Sequence, residues 1–373
     1  MMTRHFDVIV IGGGLVGAAI AFGLRDLGSR LAVCDEGDVA YRAARGNFGL
    51  IWVQGKGLGL PPYGAWTQRS AREWPRFAAL LRDETGIDVA LRQEGGAHVC
   101  LSQRELDARS ERFAQLFAQP GFERYNVEIL DREEMTRRLP GMGPDVVGGT
   151  WSALDGDCNP LRLLRALDAG LERAGVVRLG RDGVVAIEPH ADRFGVRTAS
   201  AAFTCASVVL AAGLGNARLA PMVSIAAPVV PNKGQIIALE RVPPFLPVPL
   251  ETIRQTDEGT VLLGDSQQER GFDESVDPAV LKAIAARAVR VFPFLRDVRV
   301  VRAWAALRVM SPDSFPIYAQ SRAHPGAFLA TCHSGVTLAA AHALDLAVAI
   351  RTGALGAEYH PFAMERFDVR AVA

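Results

Sequence analysis

The sequence predicts an α/β protein in which a Rossmann-like βαβ unit at the N-terminus is followed by a second, α+β domain. The continuous apolar run at residues 7–11 is typical of a strand buried on both faces. A glycine-rich turn at 12–17, an apolar helix over 18–27 and a second strand at 31–34 follow at once. The 373 residues are enough for about two domains, at roughly 150 residues each.

The remaining elements follow from apolar periodicity and from turn residues. Asn159 and Pro160 form a typical helix start, and Asp257, Glu258 and Gly259 form a typical turn between strands. Helices are predicted over 66–84, 103–119, 160–171, 277–292 and 335–350. Strands are predicted over 87–101 (a pair around Gly95 and Gly96), 176–185, 194–198, 207–210, 233–239 and 259–264.

Composition and charge argue against several classes of protein. The 41 basic and 41 acidic residues cancel to a net charge of zero, which argues against nucleic-acid binding through a basic face. The five cysteines are scattered and none forms a CxxC pair, so neither a disulfide framework nor a metal site is expected. No apolar run reaches the roughly 18 residues of a transmembrane helix. We therefore expect a cytoplasmic protein, and peripheral association with the inner membrane stays open.

A dinucleotide-binding fingerprint follows the first strand. Gly12, Gly14 and Gly17 have the GxGxxG spacing and stand between a predicted strand and a predicted helix, the setting that makes this motif specific. Gly12 allows a tight turn, Gly14 lets the backbone approach a pyrophosphate, and Gly17 lets the helix pack on the strand. The first N–H groups of the helix, at Leu15 and Val16, are expected to face the phosphates.

Two acids, Asp35 and Glu36, close the second strand and are expected at the cofactor. Glu36 follows Gly17 by nineteen residues, the spacing of an acid that accepts hydrogen bonds from ribose hydroxyls. The glycine-rich stretches 55–59 and 213–215 lack the full spacing within a βαβ unit. A single dinucleotide site fits one tightly held flavin that takes hydride directly from a small organic substrate.

Further motifs run from the fingerprint to the last predicted helix. They are GGGLVG at 12–17 with Glu36, RGNFG at 45–49, Val184 before Ile187, AAG at 211–213, KGQ at 233–235, ALRVMSPDSFPIY at 306–318 and HSGVT at 333–337. Together they resemble the D-amino acid oxidase, glycine oxidase and sarcosine oxidase family of FAD enzymes. The resemblance implies a discontinuous FAD-binding domain of the glutathione-reductase type over 1–84, 145–222 and 306–373. It also implies an α+β substrate domain with a mixed or antiparallel sheet over 85–144 and 223–305.

Two segments point to a narrower group within that family. Segments 49–57 (GLIWVQGKG) and 253–273 (IRQTDEGTVLLGDSQQERGFD) resemble the β subunits of dye-linked opine and D-hydroxyproline dehydrogenases, and of glycine-oxidising hydrogen cyanide synthase. These relatives imply α and ferredoxin-like partner subunits and a second flavin, FMN, at a subunit interface. Lys56 either binds the FMN phosphate or is a solvated loop lysine.

The resemblance assigns cofactor contacts beyond the fingerprint. The loop with Arg45, Gly46, Asn47 and Gly49 is expected along the isoalloxazine and the pyrophosphate, with an ordinary turn as the alternative for Asn47. Val184 is expected to bond the adenine edge through its backbone. The remaining expected contacts are Ala212, Gly213, His333, Ser334, Gly335, Val336 and Thr337. Residues 335–337 open the last predicted helix, whose N-terminus would stabilise negative charge at the N1–C2=O edge of the reduced flavin.

Arg308 is the expected anchor for a substrate carboxylate, because arginine binds carboxylates with two parallel hydrogen bonds and the glycine oxidase branch has an arginine at the matching place. An ion pair with Asp313 or another acid is the alternative. Arg254 is a second candidate for the same cavity. His333 either acts on the flavin as a cation or only shapes its loop. Sarcosine oxidases tether FAD through a cysteine near 308–311, where this chain has none, so noncovalent FAD is expected.

The residues and the resemblance together predict oxidation of the C–N bond of an amino acid or secondary amine to an imine, with hydride passing to flavin N5. The favoured form is the β subunit of a heteromeric dehydrogenase acting on a D-hydroxyproline, opine or glycine type of substrate. One alternative is a stand-alone oxidase that releases H2O2. The other is an electron-relay subunit that holds flavin without a substrate site of its own.

Overall fold

The computed structural model describes residues 4–37, 43–264 and 266–368, and its largest element is a central sheet of eight strands. Six strands follow one another in the spatial order Ile317–Gln320, Ala327–Thr331, Ala202–Leu210, Arg4–Ile11, Leu31–Asp35 and Val177–Gly180, and Phe194–Thr198 and Val184–Pro189 pair beside them. Strand Arg4–Ile11 has a parallel neighbour on each side. Its apolar run is therefore buried on both faces, as the sequence predicts.

Helix Leu15–Gly23 packs on this sheet and is apolar all round because it is covered on its other side as well. Gly23 shows how closely the C-terminal helical segment approaches, since a Cβ there would lie 2.1 Å from the carbonyl oxygen of Ala343. That segment consists of Ala339–Ala341, the π-helical turn His342–Leu346 and Ala347–Thr352. The first helix and this C-terminal helical segment thus pack against each other in the core.

Three smaller sheets accompany the central sheet in the described part of the chain. The antiparallel second sheet has the order Ile253–Gln255, Thr260–Leu263, Val230–Arg241 and Val300–Met310. The third sheet has the order Gly96–Cys100, Gly148–Ser152 and Glu128–Asp131, and a short pair joins Leu50–Ile51 to Gly156–Asp157. The mixed central sheet with additional antiparallel sheets confirms the predicted fold class.

Capping side chains explain where several helices begin. Ser102, Asn159 and Asp277 each accept a hydrogen bond from a backbone N–H of the first helical turn. The other helices are Pro61–Thr85, Gln103–Ala118, Arg132–Arg138, Pro160–Arg173, Asn216–Leu219, Pro278–Val291 and Glu365–Asp368. The 3₁₀ turns are Arg25–Arg30, Gly213–Gly215, Ala220–Val223, Pro293–Asp297 and Ala357–Phe362.

Two predicted strand regions are wrong in part. In the predicted pair over 87–101 only Gly96–Cys100 is a strand, and its neighbour is Gly148–Ser152 rather than the preceding residues. Gly95 explains the break, because it has φ +130° and a Cβ there would lie 2.7 Å from the Trp151 ring. The predicted strand 176–185 is divided at Arg181, whose φ is +63°, into two strands that pair with different neighbours.

The last predicted helix starts later than expected. Regular helix begins at Ala339, and residues 335–338 form a turn whose Leu338 N–H donates to Ser334 O at 3.0 Å. No helix in the described part of the chain is long and apolar enough to cross a membrane.

Sheet pairing crosses the predicted domain limits. Gly148–Ser152 pairs within the third sheet although the predicted division places it in the cofactor domain, and strand Val300–Met310 continues through the predicted boundary at 305/306. The domain division stays a prediction.

Candidate cofactor and substrate site

A cavity of about 660 Å³ lies at the carboxyl ends of the parallel strands of the central sheet, where such sheets bind nucleotides. The predicted cofactor residues that line it are Gly12, Gly14, Leu15, Val16, Asp35, Glu36, Arg45, Asn47, Val184, Ala212, Gly213, His333 and Gly335. Those that lie outside its lining are Gly17, Gly46, Gly49, Ser334, Val336 and Thr337.

The fingerprint glycines form the turn between the first strand and the first helix. Gly12 has φ +110°, and a Cβ there would lie 2.3 Å from Ala211 O. A Cβ on Gly17 would lie 1.9 Å from Gly12 O, so this glycine allows the close approach of helix and strand. A Cβ on Gly14 would meet only Ala44, at 3.7 Å. Gly14 therefore presents open backbone to the cavity, as a pyrophosphate cradle requires.

The two acids after the second strand have different roles. Asp35 accepts hydrogen bonds from Gly13 N–H at 2.6 Å and from Gly37 N–H at 2.9 Å, so its carboxylate holds the glycine turn. Glu36 is exposed at the cavity wall beside Gly183. This places Glu36 where an acid can reach a ribose.

In the loop 45–49, Arg45 and Asn47 line the cavity, whereas Gly46 and Gly49 anchor the loop. Asn47 Oδ1 accepts the N–H of Gly49 at 2.7 Å, which forms the ordinary Asx turn given as its alternative. Gly46 O accepts a hydrogen bond from Trp304 Nε1 at 3.3 Å. Asn47 thus has the turn role and still lies at the cavity.

Arg254 lies outside the cavity lining. It is a residue of the second sheet and holds the loop 45–49 in place. It is 2% exposed, and its Nε donates to Asp157 Oδ2 at 2.6 Å. Its NH1 donates to Phe48 O at 2.6 Å. Arg92 binds the same carboxylate through Nε and NH2, at 3.0 and 2.8 Å. These contacts give Arg254 a positioning role and do not support its predicted contact with substrate.

The expected adenine end of the cavity includes residues that sequence reasoning missed. Val184 lines it, and its carbonyl accepts a hydrogen bond from Arg218 NH2 at 2.8 Å. Asp168 and Arg178 line it as an ion pair, and burial raises the pKa of Asp168. The signal that could have found Arg178 is the strand Val177–Gly180, which runs parallel to Leu31–Asp35 and so ends at the same edge.

The expected flavin end is formed by the turn after strand Ala327–Thr331. His333 and Gly335 line the cavity there. Val336 O and Thr337 O accept hydrogen bonds from Trp74 Nε1 at 3.2 and 3.1 Å. Helix Pro61–Thr85 therefore fixes this turn from behind.

His333 is neutral in this setting. Burial and the positive charges of Lys56 and Arg308 lower its pKa well below the usual value, and the Ser314 carbonyl only partly opposes this. The cationic role considered for His333 is thus not supported. Lys56 is itself half-buried, with Nζ 3.3 Å from His333 Nε2 and 3.2 Å from Ser334 Oγ, and it is not a solvated loop lysine.

Arg308 lies on strand Val300–Met310 between Leu307 and Val309, which both line the cavity. Arg308 is not part of that lining but lies close to it, because its charge acts on His333, which lines the cavity. Its NH1 donates to Ser266 O at 2.8 Å and to Asn232 Oδ1 at 3.1 Å, and its guanidinium lies across Gly234.

Asp313, the alternative partner of Arg308, pairs with Arg366 instead. Arg366 Nε lies 2.7 Å from Asp313 Oδ2, and NH2 lies 3.1 Å from Oδ1. The alternative of an Arg308–Asp313 pair thus loses its support.

The glycine turn, the acid at the second strand and the open backbone at Gly14 fit a dinucleotide, and they define a dinucleotide-binding fold. The chain belongs to the DAO family of FAD-dependent oxidoreductases, whose family model matches residues 7–348. This confirms the predicted family, FAD as cofactor and the enzyme class.

Relatives match along nearly the whole chain. An opine oxidase subunit of Agrobacterium tumefaciens (strain Ach5) is 44% identical over 98% of both chains, and its counterpart in Rhizobium meliloti is 42% identical over the same shares. Among solved structures, glycine oxidase from Geobacillus kaustophilus superimposes with a TM-score of 0.88, at 24% identity, over 97% of this chain and 99% of that one.

Proposed function

We propose that the chain oxidises the C–N bond of an opine-type secondary amine, and that it does so as the FAD-bearing component of a heteromeric dehydrogenase. The observation that carries the proposal is Arg308, a cation held by hydrogen bonds on the strand whose neighbouring side chains line the cofactor cavity. The 44% identity to an opine oxidase subunit supports the substrate type. D-hydroxyproline and glycine are the other amines to test.

Bound FAD supplies the hydride acceptor, and the residues around it bind and orient the substrate. Asn232 and Ser266 hold NH1 of Arg308, which fixes the plane that a substrate carboxylate would meet. Leu307 and Val309 give the cavity an apolar wall that excludes water. Neutral His333 adds no positive charge of its own beside the substrate nitrogen, which has to be neutral for the neighbouring carbon to give up its hydride.

An anaerobic titration tests this proposal. The chain loaded with FAD is mixed with octopine-type opines, D-hydroxyproline, D-amino acids, sarcosine and glycine while the flavin absorbance is followed. Bleaching by an opine is the expected result. Bleaching by glycine alone would overturn the substrate assignment, and rapid reoxidation in air with H2O2 release would favour the stand-alone oxidase. Absence of bleaching with every amine, also after the partner subunits are added, would favour the electron-relay subunit.

The variant Arg308→Ala tests whether Arg308 binds the substrate carboxylate. Loss of a charge-assisted bidentate contact is expected to cost about 2–4 kcal/mol, or roughly 30- to 1,000-fold in kcat/KM. Arg290→Ala is the control, because Arg290 pairs with Asp145 at the surface. Wild-type kcat/KM in Arg308→Ala would contradict the assignment.

We propose further that α and ferredoxin-like partners and FMN belong to the assembled enzyme. This rests on the sequence resemblance and on the two opine oxidase relatives, each of which is one subunit of its enzyme. Lys56 does not carry the FMN proposal, because its ammonium contacts His333 and Ser334. Flavin extracted from the complex purified with its partners is expected to contain FAD and FMN, and FAD alone would contradict it.

The cytoplasm is the proposed location. All five cysteines are unpaired and buried, as in proteins of reducing compartments.

A further inference from the structure

Lys56 has no part in the proposed function, yet it is one of the few lysines of the chain and makes specific contacts at the flavin end of the cavity. We propose that Lys56 is a positioning residue that fixes His333 as a hydrogen-bond acceptor and raises the reduction potential of the bound FAD. This inference rests on the proposed placement of the flavin ring beside His333 and Gly335.

Hydrogen bonds from two buried side chains fix the loop that carries Lys56. Asp155 is fully buried and accepts hydrogen bonds from the backbone N–H groups of Val53 and Gln54 and, at 2.7 Å, from Gln54 Nε2. Tyr125 Oη donates to Val53 O and accepts from Gly55 N–H, both at 3.1 Å. The backbone immediately before Lys56 therefore has little freedom.

The ammonium of Lys56 points to the turn at the flavin end of the cavity. Its Nζ lies 3.2 Å from Ser334 Oγ, 3.3 Å from His333 Nε2 and 5.8 Å from the centre of the Tyr63 ring. Tyr63 Oη lies 2.8 Å from Ser334 Oγ and completes the group. An ammonium has only donors, so His333 Nε2 accepts and the imidazole proton lies on Nδ1.

This arrangement puts a positive charge one imidazole ring away from the cavity wall. His333 lines the cavity and stays neutral, so the charge behind it belongs to Lys56. A flavin ring gains negative charge on reduction, and a fixed cation at a few ångströms stabilises that charge. Arg308 acts on the same imidazole as a second cation, but its NH1 is bound by Asn232 and Ser266.

The first test uses Lys56→Met, which removes the charge and keeps the aliphatic chain, in the FAD-loaded protein. The midpoint potential of the FAD is expected to shift negative. The Kd for sulfite, a probe that binds flavin as an anion, is expected to rise about tenfold or more. Lys56→Arg is expected to restore both values, and Lys282→Met, at an exposed helix position, is the control. An unchanged potential with sulfite affinity within about twofold of wild type would overturn the proposal.

The second test needs no flavin. In ¹⁵N-labelled apoprotein, the His333 imidazole is expected to be protonated at Nδ1. In Lys56→Met the Nε2-protonated tautomer is expected to become populated, with Ser334 Oγ, 3.2 Å from Nε2, as its acceptor. Protonation at Nε2 in the wild type would overturn the proposal, including in the case that Lys56→Met fails to hold FAD. Failure of every amine to reduce the wild-type flavin would instead refute the proposed function, and both measurements on Lys56 would still decide this inference.

Discussion

Each fingerprint glycine answers a different steric demand. Gly12 needs a positive φ and contact with the carbonyl of Ala211, and Gly17 needs contact with the carbonyl of Gly12. Gly14 has neither constraint in the protein itself, because its backbone is extended and the space beside it is open. We attribute the glycine at this position to the cofactor, whose pyrophosphate would occupy the open space beside it.

Two alanine variants distinguish a glycine required by the protein backbone from a glycine required by the cofactor. Gly12→Ala is expected to lower the unfolding free energy of the apoprotein by more than about 2 kcal/mol, because backbone must move and the residue is strained. Gly14→Ala is expected to leave apoprotein stability within about 0.5 kcal/mol and to weaken FAD binding. Urea unfolding and FAD titration measure the two quantities. Equal destabilisation of the apoprotein by both variants would contradict this interpretation.

At this scale the sequence predicts the residues of short motifs well and distant partners poorly. The spacing of Gly12 and Glu36 reflects a local βαβ unit, and both are at the cavity. The partners of Arg254 and Lys56 are about 100 and nearly 280 positions away. No local pattern encodes contacts over such separations, so the sequence predicts a substrate contact for Arg254, which in the structure holds a loop.

Among the elements, the loop 45–49 depends on a buried group of charges. Arg254 and Arg92 share Asp157, which is 2% exposed, and Arg254 also binds Phe48 O. Removal of Arg254 takes one of two cations from the buried Asp157 carboxylate and takes the side-chain donor from Phe48 O. The position of the loop at the cofactor thus depends on a residue of the second sheet.

Arg254→Met is expected to destabilise the protein by about 2–3 kcal/mol and to weaken FAD binding. The surface pair of Arg162 with Asp257 and Glu258 provides the control, and Arg162→Met is expected to cost at most about 1 kcal/mol. Denaturant unfolding and FAD titration are the measurements. Equal costs for the two variants would refute the role of Arg254.

Asp155 gives the loop 52–56 a pH dependence. Burial raises its pKa to about 7, although three donated hydrogen bonds oppose this. In the unfolded chain the carboxyl loses its proton near pH 4. Between these values the folded protein binds more protons than the unfolded chain, so this group's contribution to stability falls as pH rises.

The expected slope is about −1.2 kcal/mol per pH unit between pH 5 and 6 and about half of that at pH 7, and Asp155→Asn removes it. The measurement is the difference in unfolding free energy between wild type and Asp155→Asn, each saturated with FAD, at several pH values. A difference that does not vary with pH would contradict the raised pKa.

The elements themselves are predicted to different degrees for physical reasons. Capped amphipathic helices such as Pro160–Arg173 encode their own boundaries, and the prediction there holds. Strands acquire their partners from elsewhere in the chain. The segment 87–95 therefore looks extended in sequence, but Gly95 and the Trp151 ring keep it out of the third sheet.

On the scale of the whole molecule, the cofactor cavity joins the central sheet to the second sheet. The central sheet supplies the glycine turn, and strand Val300–Met310 supplies Leu307 and Val309. A ligand in this cavity therefore contacts both sheets and stabilises them together.

FAD at a hundredfold excess over its Kd is expected to add about 2.7 kcal/mol to the unfolding free energy. Hydrogen exchange is expected to show increased protection in strands Arg4–Ile11 and Val230–Arg241 alike. Protection confined to the central sheet would show that the two sheets are not coupled through the cavity.

The close packing of the first helix on the C-terminal helical segment has a consequence for biosynthesis. Gly14 and Gly335 are 321 positions apart in the chain, yet both line the cavity. At roughly 5–20 residues per second, a ribosome takes about 16 to 64 s to pass from one to the other. During that interval the nascent N-terminal segment cannot enclose FAD, and its apolar first helix has to wait for the C-terminal segment that covers it.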